Sequence, residues 1–300
     1  ALMTYSQTAT RTVLLIISLF LAQNRSIQAE PANPISQQLE KYEFLQQQCK
    51  ASADAFKYED ALIKCKEWLE YSILAFGEKN IRVAYPLRKV GSVYGNLQNY
   101  HLARDFTEKS IEILKENPNK TELELARTLY SLGVACLNHG RPHQAEDAWR
   151  QSMHILENMN LKNTELYSNN LSSLGLIYTH YGQYEKAEDI LKKAISISEG
   201  LYGIDDPRVV PALSNLRKLY NILGQYDHAL SVTQRAIDIR EKHLGSKRGL
   251  TIILYASLAS IYGTLGRVQE ALALYKRILP LLEGVYGKEH PYLIPMIMNY

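Results

Sequence analysis

The side chains best suited to chemistry in this 300-residue chain are few and poorly grouped. The segment NHGRPH sets His139 and His143 four residues apart, the nearest thing to a metal-ligand pair. No third ligand stands beside them, and a zinc site takes at least three from the protein, so they read as solvated turn histidines. Cys136 is close by, but at a position that other segments fill with tyrosine, which suits a core residue rather than a nucleophile. The pairs Glu146-Asp147 and Glu188-Asp189 have the groups needed for acid–base work, yet they fall where a helix is expected to face solvent. H-E-x-x-H, G-x-x-x-x-G-K-[ST], G-x-S-x-G and C-x-x-C do not occur. The residues present lead us to expect no enzyme, no metal and no cofactor in this stretch of chain.

Composition narrows the partners. At 46% hydrophobic and 22% charged residues the chain is globular in type. A formal charge of +3, with no run of five or six basic residues, argues against nucleic acid or anionic membrane as main partner. Arg11, the apolar run Val13 to Ala22 and the small residue Ala29 have the layout of a secretory signal peptide over residues 1–29, followed by a linker over 30–37. Ten apolar residues fall short of the about twenty that span a bilayer. The expected location is therefore exported, periplasmic or extracellular, with an uncleaved membrane anchor as the alternative. Cys49, Cys65 and Cys136 are too few for a disulfide framework; a Cys49–Cys65 bridge after export stays open, as do free thiols. The chain opens on Ala1 and stops at Tyr300 inside a repeat, so a partial reading frame is expected.

The elements that position these side chains recur with a fixed period. Ala61, Ala103, Ala145, Ala187, Ala229 and Ala271 are spaced by 42 residues. Gly140, Gly182, Gly224 and Gly266 keep the same step, with Gln98 in the first full unit. Tyr94, Tyr178, Tyr220 and Tyr262 keep it too, with Cys136 once in their place. Leu171, Leu174, Gly175 and Tyr178 fall at i, i+3, i+4 and i+7, one face of a helix. Gly182 turns the chain, and Ala187, Leu191 and Ala194 form the facing stripe of a second helix. Small residues at the crossing (Gly175, Ala187) let the backbones approach, with Leu171 and Leu191 above and below. Asp206-Pro207 reads as N-cap and first turn of the next helix; Asn80, Thr164 and His290-Pro291 occupy the equivalent place.

The pattern L-x-x-L-G-x-x-Y, then G-x-x-x-x-A, resembles the tetratricopeptide repeat, and its 42-residue length with YGIDDP and YGKEHP between units is similar to the kinesin-light-chain type. The resemblance implies an all-α, right-handed superhelical solenoid. Residues 38–80 would be a degenerate capping repeat, 81–290 five full units, and 291–300 the first helix of a truncated further one. The departures are Cys136, Trp149, Ser152, Arg217 and Ile278. In such arrays the first helices line a concave face, and there the resemblance implies a peptide-binding groove. Its candidate residues are Arg127, Tyr130, Asn138, Asn169, Ser173, Leu176, His180, Asn215, Lys218, Asn221 and Ser257, a surface of amides and hydroxyls with few carboxylates. The expected function is a non-catalytic scaffold for a peptide or protein partner. The alternative is the recognition half of a larger exported enzyme, of the caspase-like CHAT kind, with its catalytic domain beyond residue 300.

Overall fold

A computed structural model describes residues 34–117, 121–244 and 249–286. The expected signal segment, the first residues of the linker, His290-Pro291 and the final helix 291–300 lie outside them. Among the described residues there are helices and turns but no strand. No helix there is long and apolar enough to cross a membrane. The chain divides into two compact units, residues 1–78 and 79–300.

The first unit is one hairpin, α1 (Pro34–Asp54) and α2 (Tyr58–Phe76). Tyr42 packs edge-on against Trp68 at 5.3 Å and Phe76 at 5.7 Å, so one tyrosine holds the two helices together through ring contacts. Cys49 and Cys65 are joined in a disulfide with Cα atoms 4.7 Å apart, inside the about 7 Å that bridging allows.

The second unit stacks five hairpins. They are α3 (Ile81–Asn96) with α4 (Tyr100–Lys115), α5 (Glu122–Asn138) with α6 (Pro142–Asn158), α7 (Glu165–His180) with α8 (Tyr184–Tyr202), α9 (Val210–Ile222) with α10 (Tyr226–Leu244), and α11 (Gly249–Thr264) with α12 (Val268–Tyr286). Each hairpin turns in the same way. The N–H groups of Asn99, Arg141, Gln183, Gln225 and Arg267 donate to the carbonyls of Tyr94, Cys136, Tyr178, Tyr220 and Tyr262. These bonds close a Schellman motif, in which the residue before the donor takes positive φ. That residue is Gly182 (φ 73°) in the third hairpin, while Gln98 (φ 60°) meets the same demand with a side chain attached. Asn80 and Thr164 cap their helices as expected. Asp206 caps a short 3₁₀ turn, Pro207–Val209, and the α-helix starts only at Val210.

The crossing contact differs from the expected one. A Cβ on Gly175 would lie 2.5 Å from Leu191 Cγ, so the glycine receives that large side chain directly. Gly133 likewise receives Trp149, and Gly91 receives Thr107. A residue of the first helix thus meets the residue sixteen positions on, and Cys49–Cys65 is that same pair in the first hairpin, with a separation of 16. Cys49 therefore opposes Cys65. Two of the departures now have causes. Trp149 fills the space above Gly133 and donates its indole N–H to the Tyr130 carbonyl at 3.1 Å. Ser152 donates to the Ala126 carbonyl at 2.8 Å, as Ser110 does to Ala84. In the third hairpin the roles reverse, and Ser168 on the first helix donates to the Ala194 carbonyl on the second.

Candidate functional site

Within the second unit each second helix rests on the first helix of the hairpin after it, and the first helices α3, α5, α7 and α9 also touch their neighbours in turn. The first helices therefore form the tighter, inner layer, as a curved array requires. The two layers differ in charge. Second helices and loops carry the ion pairs: Arg104 with Asp105 and Glu108, Arg150 with Glu146, Lys192 with Glu188, Arg235 with Glu199, and Arg277 with Glu241. The inner layer holds one pair between first helices among the described residues, Arg88 with Glu124 at 2.5 Å.

The eleven candidate residues divide by what they already do. Arg127, Asn138, His180 and Lys218 are exposed, and Tyr130, Asn169, Ser173, Leu176, Asn215, Asn221 and Ser257 are half-buried. Burial pushes the Tyr130 phenol up, a hydrogen bond with Ser173 opposes the shift, and Glu165 adds to it. The Asn215 amide nitrogen donates to the Ser172 carbonyl at 3.1 Å and hydroxyl at 3.0 Å. That donor, which the sequence offered to a peptide, is already engaged in joining α9 to α7. Ser257 and Ser131 donate back to the carbonyls of Ile253 and Arg127, four residues earlier. Ser172 and Thr179, on the same helix as Ser173 and His180, are buried. Asn221 is different: its side-chain oxygen is buried and accepts no hydrogen bond. Lys218 makes no ion pair among the described residues; protein crowds the exposed side chain enough to lower its ammonium below the usual lysine range, and neighbouring Arg217 adds to the effect.

The residues first considered for catalysis take ordinary places. His143 stacks on Tyr181 at 5.3 Å, and its Nδ1 is 2.9 Å from the tyrosine hydroxyl. No three metal-ligating side chains are gathered among the described residues. Cys136 is buried and unbridged, and burial, then Glu108, push its thiol up against the opposing influence of Arg104 and Arg141. An outer cleft of about 670 Å³ is lined by Asp205, Asp227, Arg235, Asp238, Lys242 and Arg267. Its cations are occupied: Arg235 pairs with Glu199, Lys242 with Asp205 and Arg267 with Glu270. The inner face is the stronger candidate for binding.

A family model described as tetratricopeptide repeat matches residues 55–158 and 166–242, and a second of the same description matches 251–292. The chain belongs to the tetratricopeptide-repeat family. Among solved structures this tetratricopeptide-repeat protein is similar to BtubC (BKLC) from P. vanneervenii at 17% identity and a TM-score of 0.61, covering 82% of this chain and 94% of that one. It is similar to a putative kinesin light chain with nearly identical repeats from Podosopora anserina at 17% identity and 0.55, covering 67% and 95%. A Rap protein complexed with competence and sporulation factor gives 16% identity and 0.61, covering 86% and 80%. At these identities the likeness is one of fold. No curated protein matches the sequence.

Proposed function

We propose that this chain is a non-catalytic scaffold that holds an extended peptide or protein segment along the inner face of α5, α7, α9 and α11. Tetratricopeptide arrays are in general protein–protein interaction scaffolds. One observation supports the inner face above the outer one: on the outside, opposite charges already pair with each other, while exposed Lys218 on the first-helix layer has no ion-pair partner among the described residues. The exposed Lys218 ammonium can donate to a peptide carbonyl or carboxylate, and half-buried Leu176 offers an apolar neighbour for a side chain. Selection of peptides from a randomised library on the full chain tests this reading. Binders are expected to weaken when Leu176→Glu or Lys218→Ala alters the inner face, and to be unaffected by Gln234→Ala in the outer cleft. The opposite pattern, or no binder at all, refutes it.

Export is part of the same proposal. Residues 1–29 carry the leader pattern, and a Cys49–Cys65 disulfide suits an oxidising compartment. Fractionation of cells expressing the chain with and without residues 1–29 decides it: retention of both forms in the cytoplasm overturns export.

A further inference from the structure

Cys136 occupies a place that the other full units give to a tyrosine, and those rings have neighbours at fixed offsets. Tyr94 stacks on Phe106, twelve residues on, at 5.5 Å. Tyr178 lies under Lys186 at 3.8 Å and Tyr220 beside His228 at 5.2 Å, each eight residues on. Tyr262 lies under Arg267, five residues on, at 4.3 Å. The hydroxyl ends reach back to the second helix of the preceding hairpin. That of Tyr178 accepts from Arg150 at 2.6 Å and donates to Glu146 at 3.3 Å, and that of Tyr220 donates to Glu188 at 3.0 Å.

The same offsets counted from Cys136 lead to Ala148, Gln144, Arg141 and, in the place of Arg150, Glu108. All four line a cleft of about 420 Å³ together with the cysteine itself. The cleft between α4, α5 and α6 is therefore the tyrosine socket without its ring. The wall beneath is cut back too: the place of Phe106 holds Ile190, Val232 and Leu274 in later units, and the smaller Ala148 here. Ile111 and Leu129 add apolar surface. The thiol donates to the Gln144 side-chain oxygen at 3.9 Å, so exposed Gln144 leans over the sulfur where Lys186 covers a ring.

The polar end of the socket is present as well. Tyr178 ends at an ion pair, Arg150 with Glu146 at 2.8 Å. The equivalent places hold Glu108 and Arg104, paired at 3.6 Å with the charges exchanged. Arg104 Nε is buried and has no hydrogen-bond partner among the described residues. A hydroxyl at this end can accept from the arginine and donate to the glutamate; neither a carboxylate nor an ammonium can do both.

We propose that the cleft is a ligand site for a 4-hydroxyphenyl group, with the ring beside Cys136 and the hydroxyl between Arg104 and Glu108. Sulfur is a favourable neighbour for an aromatic ring, and Gln144 covers the ring face as Lys186 covers Tyr178. The volume falls within the about 300–1,000 Å³ of small-molecule sites. The site belongs to the outer side of the array and does not depend on the inner-face reading.

The experiment titrates the full chain with p-cresol, the detached tyrosine side chain, by saturation-transfer NMR. Saturable binding at about millimolar concentration or below is expected. Toluene should bind about tenfold more weakly, because it offers nothing to the Arg104–Glu108 pair. Cys136→Tyr should place the repeat's own ring in the socket, abolish p-cresol binding and raise the urea midpoint of unfolding, whereas Cys136→Ala keeps the space and should bind like wild type. Arg104→Ala, at a half-buried side chain, should lower p-cresol to the affinity of toluene, and it decides the matter if the tyrosine variant fails to fold. N-acetyltyrosinamide separates two sources of the ring: binding as tight as that of p-cresol assigns a partner's tyrosine, and weaker binding a free phenol. No saturable binding by wild type, equal binding of toluene, or unaltered p-cresol binding by Cys136→Tyr overturns the proposal.

Discussion

The third and fourth hairpins of the second unit, α7–α8 and α9–α10, share one frame and differ at its tightest point. In the third, Gly175 receives Leu191 and the contact is wholly apolar. In the fourth, the equivalent positions hold Arg217 and Thr233, and the Thr233 hydroxyl donates to the Ala229 carbonyl of its own helix. Elsewhere the two hairpins agree: Ala187 and Ala229 are both 0% exposed, and both turns close with the same bond to a tyrosine carbonyl. The frame thus tolerates an unfavourable residue at its crossing when the rest of the unit is held by neighbours. A solenoid distributes stability over nearest-neighbour interfaces, so one weak crossing need not unfold the array.

That comparison can be broken from several sides. Transplanting the arginine, Gly175→Arg, should be the most damaging change, because Leu191 already occupies the space; a loss of about 3–5 kcal/mol in urea unfolding is expected from overpacking and an unpaired buried charge. A near-neutral result would mean that the third crossing is as adaptable as the fourth. Reducing the Cys49–Cys65 bridge, the crosslinked version of the same crossing, should cost about 3 kcal/mol for a loop of this size, read as the loss of helical signal from the first unit in reductant. A thiol count on unreduced protein should find Cys136 alone free among the three cysteines. The reverse substitution, Arg217→Ala, should stabilise by about 1–2 kcal/mol, since it removes a buried donor that nothing satisfies.

The smallest effect concerns the joint between the two hairpins. Hydrogen bonds from the Arg208 side chain, then its backbone N–H, hold the Asp206 carboxyl at about 2. A folded value below the unfolded carboxylate value of about 3.9 means that the contribution is complete above pH 4 and is lost as pH falls through 2. The urea midpoint of wild type should therefore decline more steeply between pH 4 and pH 2 than that of Asp206→Asn. Parallel curves would show that this cap does not couple to the stability of the stack.

Periodic features were legible in the sequence because each follows from one residue type. The turn glycines require positive φ, the buried alanines require space, and Asn80 and Thr164 require only a side-chain oxygen at a helix start. Contacts across the hairpin were less legible. A helical wheel gives the face of Gly175 but not the height at which it meets the second helix, so Leu191 was expected beside it and not on it. The same limit left the Cys49–Cys65 pair open, since the bridge depends on which residues sit level. On the inner face, composition identified amides and hydroxyls but not their commitments: Asn215 already donates to Ser172, and Ser257 to its own helix. Arg217 was visible only as a broken rule. That its buried Nε has no hydrogen-bond partner depends on the helices packed around it, which the period does not specify.

The repeated turn has a consequence for how such a chain can change length. Gly140 and Gly182 have the same φ of 73°, and the residues after them, Arg141 and Gln183, donate to the same relative carbonyl. Excising residues 141–182 would join Gly140 to Gln183 and recreate a junction the molecule already contains. A cut that is not a multiple of 42 would leave a helix out of phase with its neighbour. Growth and loss are therefore quantised: the array keeps its turn geometry and helix phase when it gains or sheds whole multiples of 42 residues.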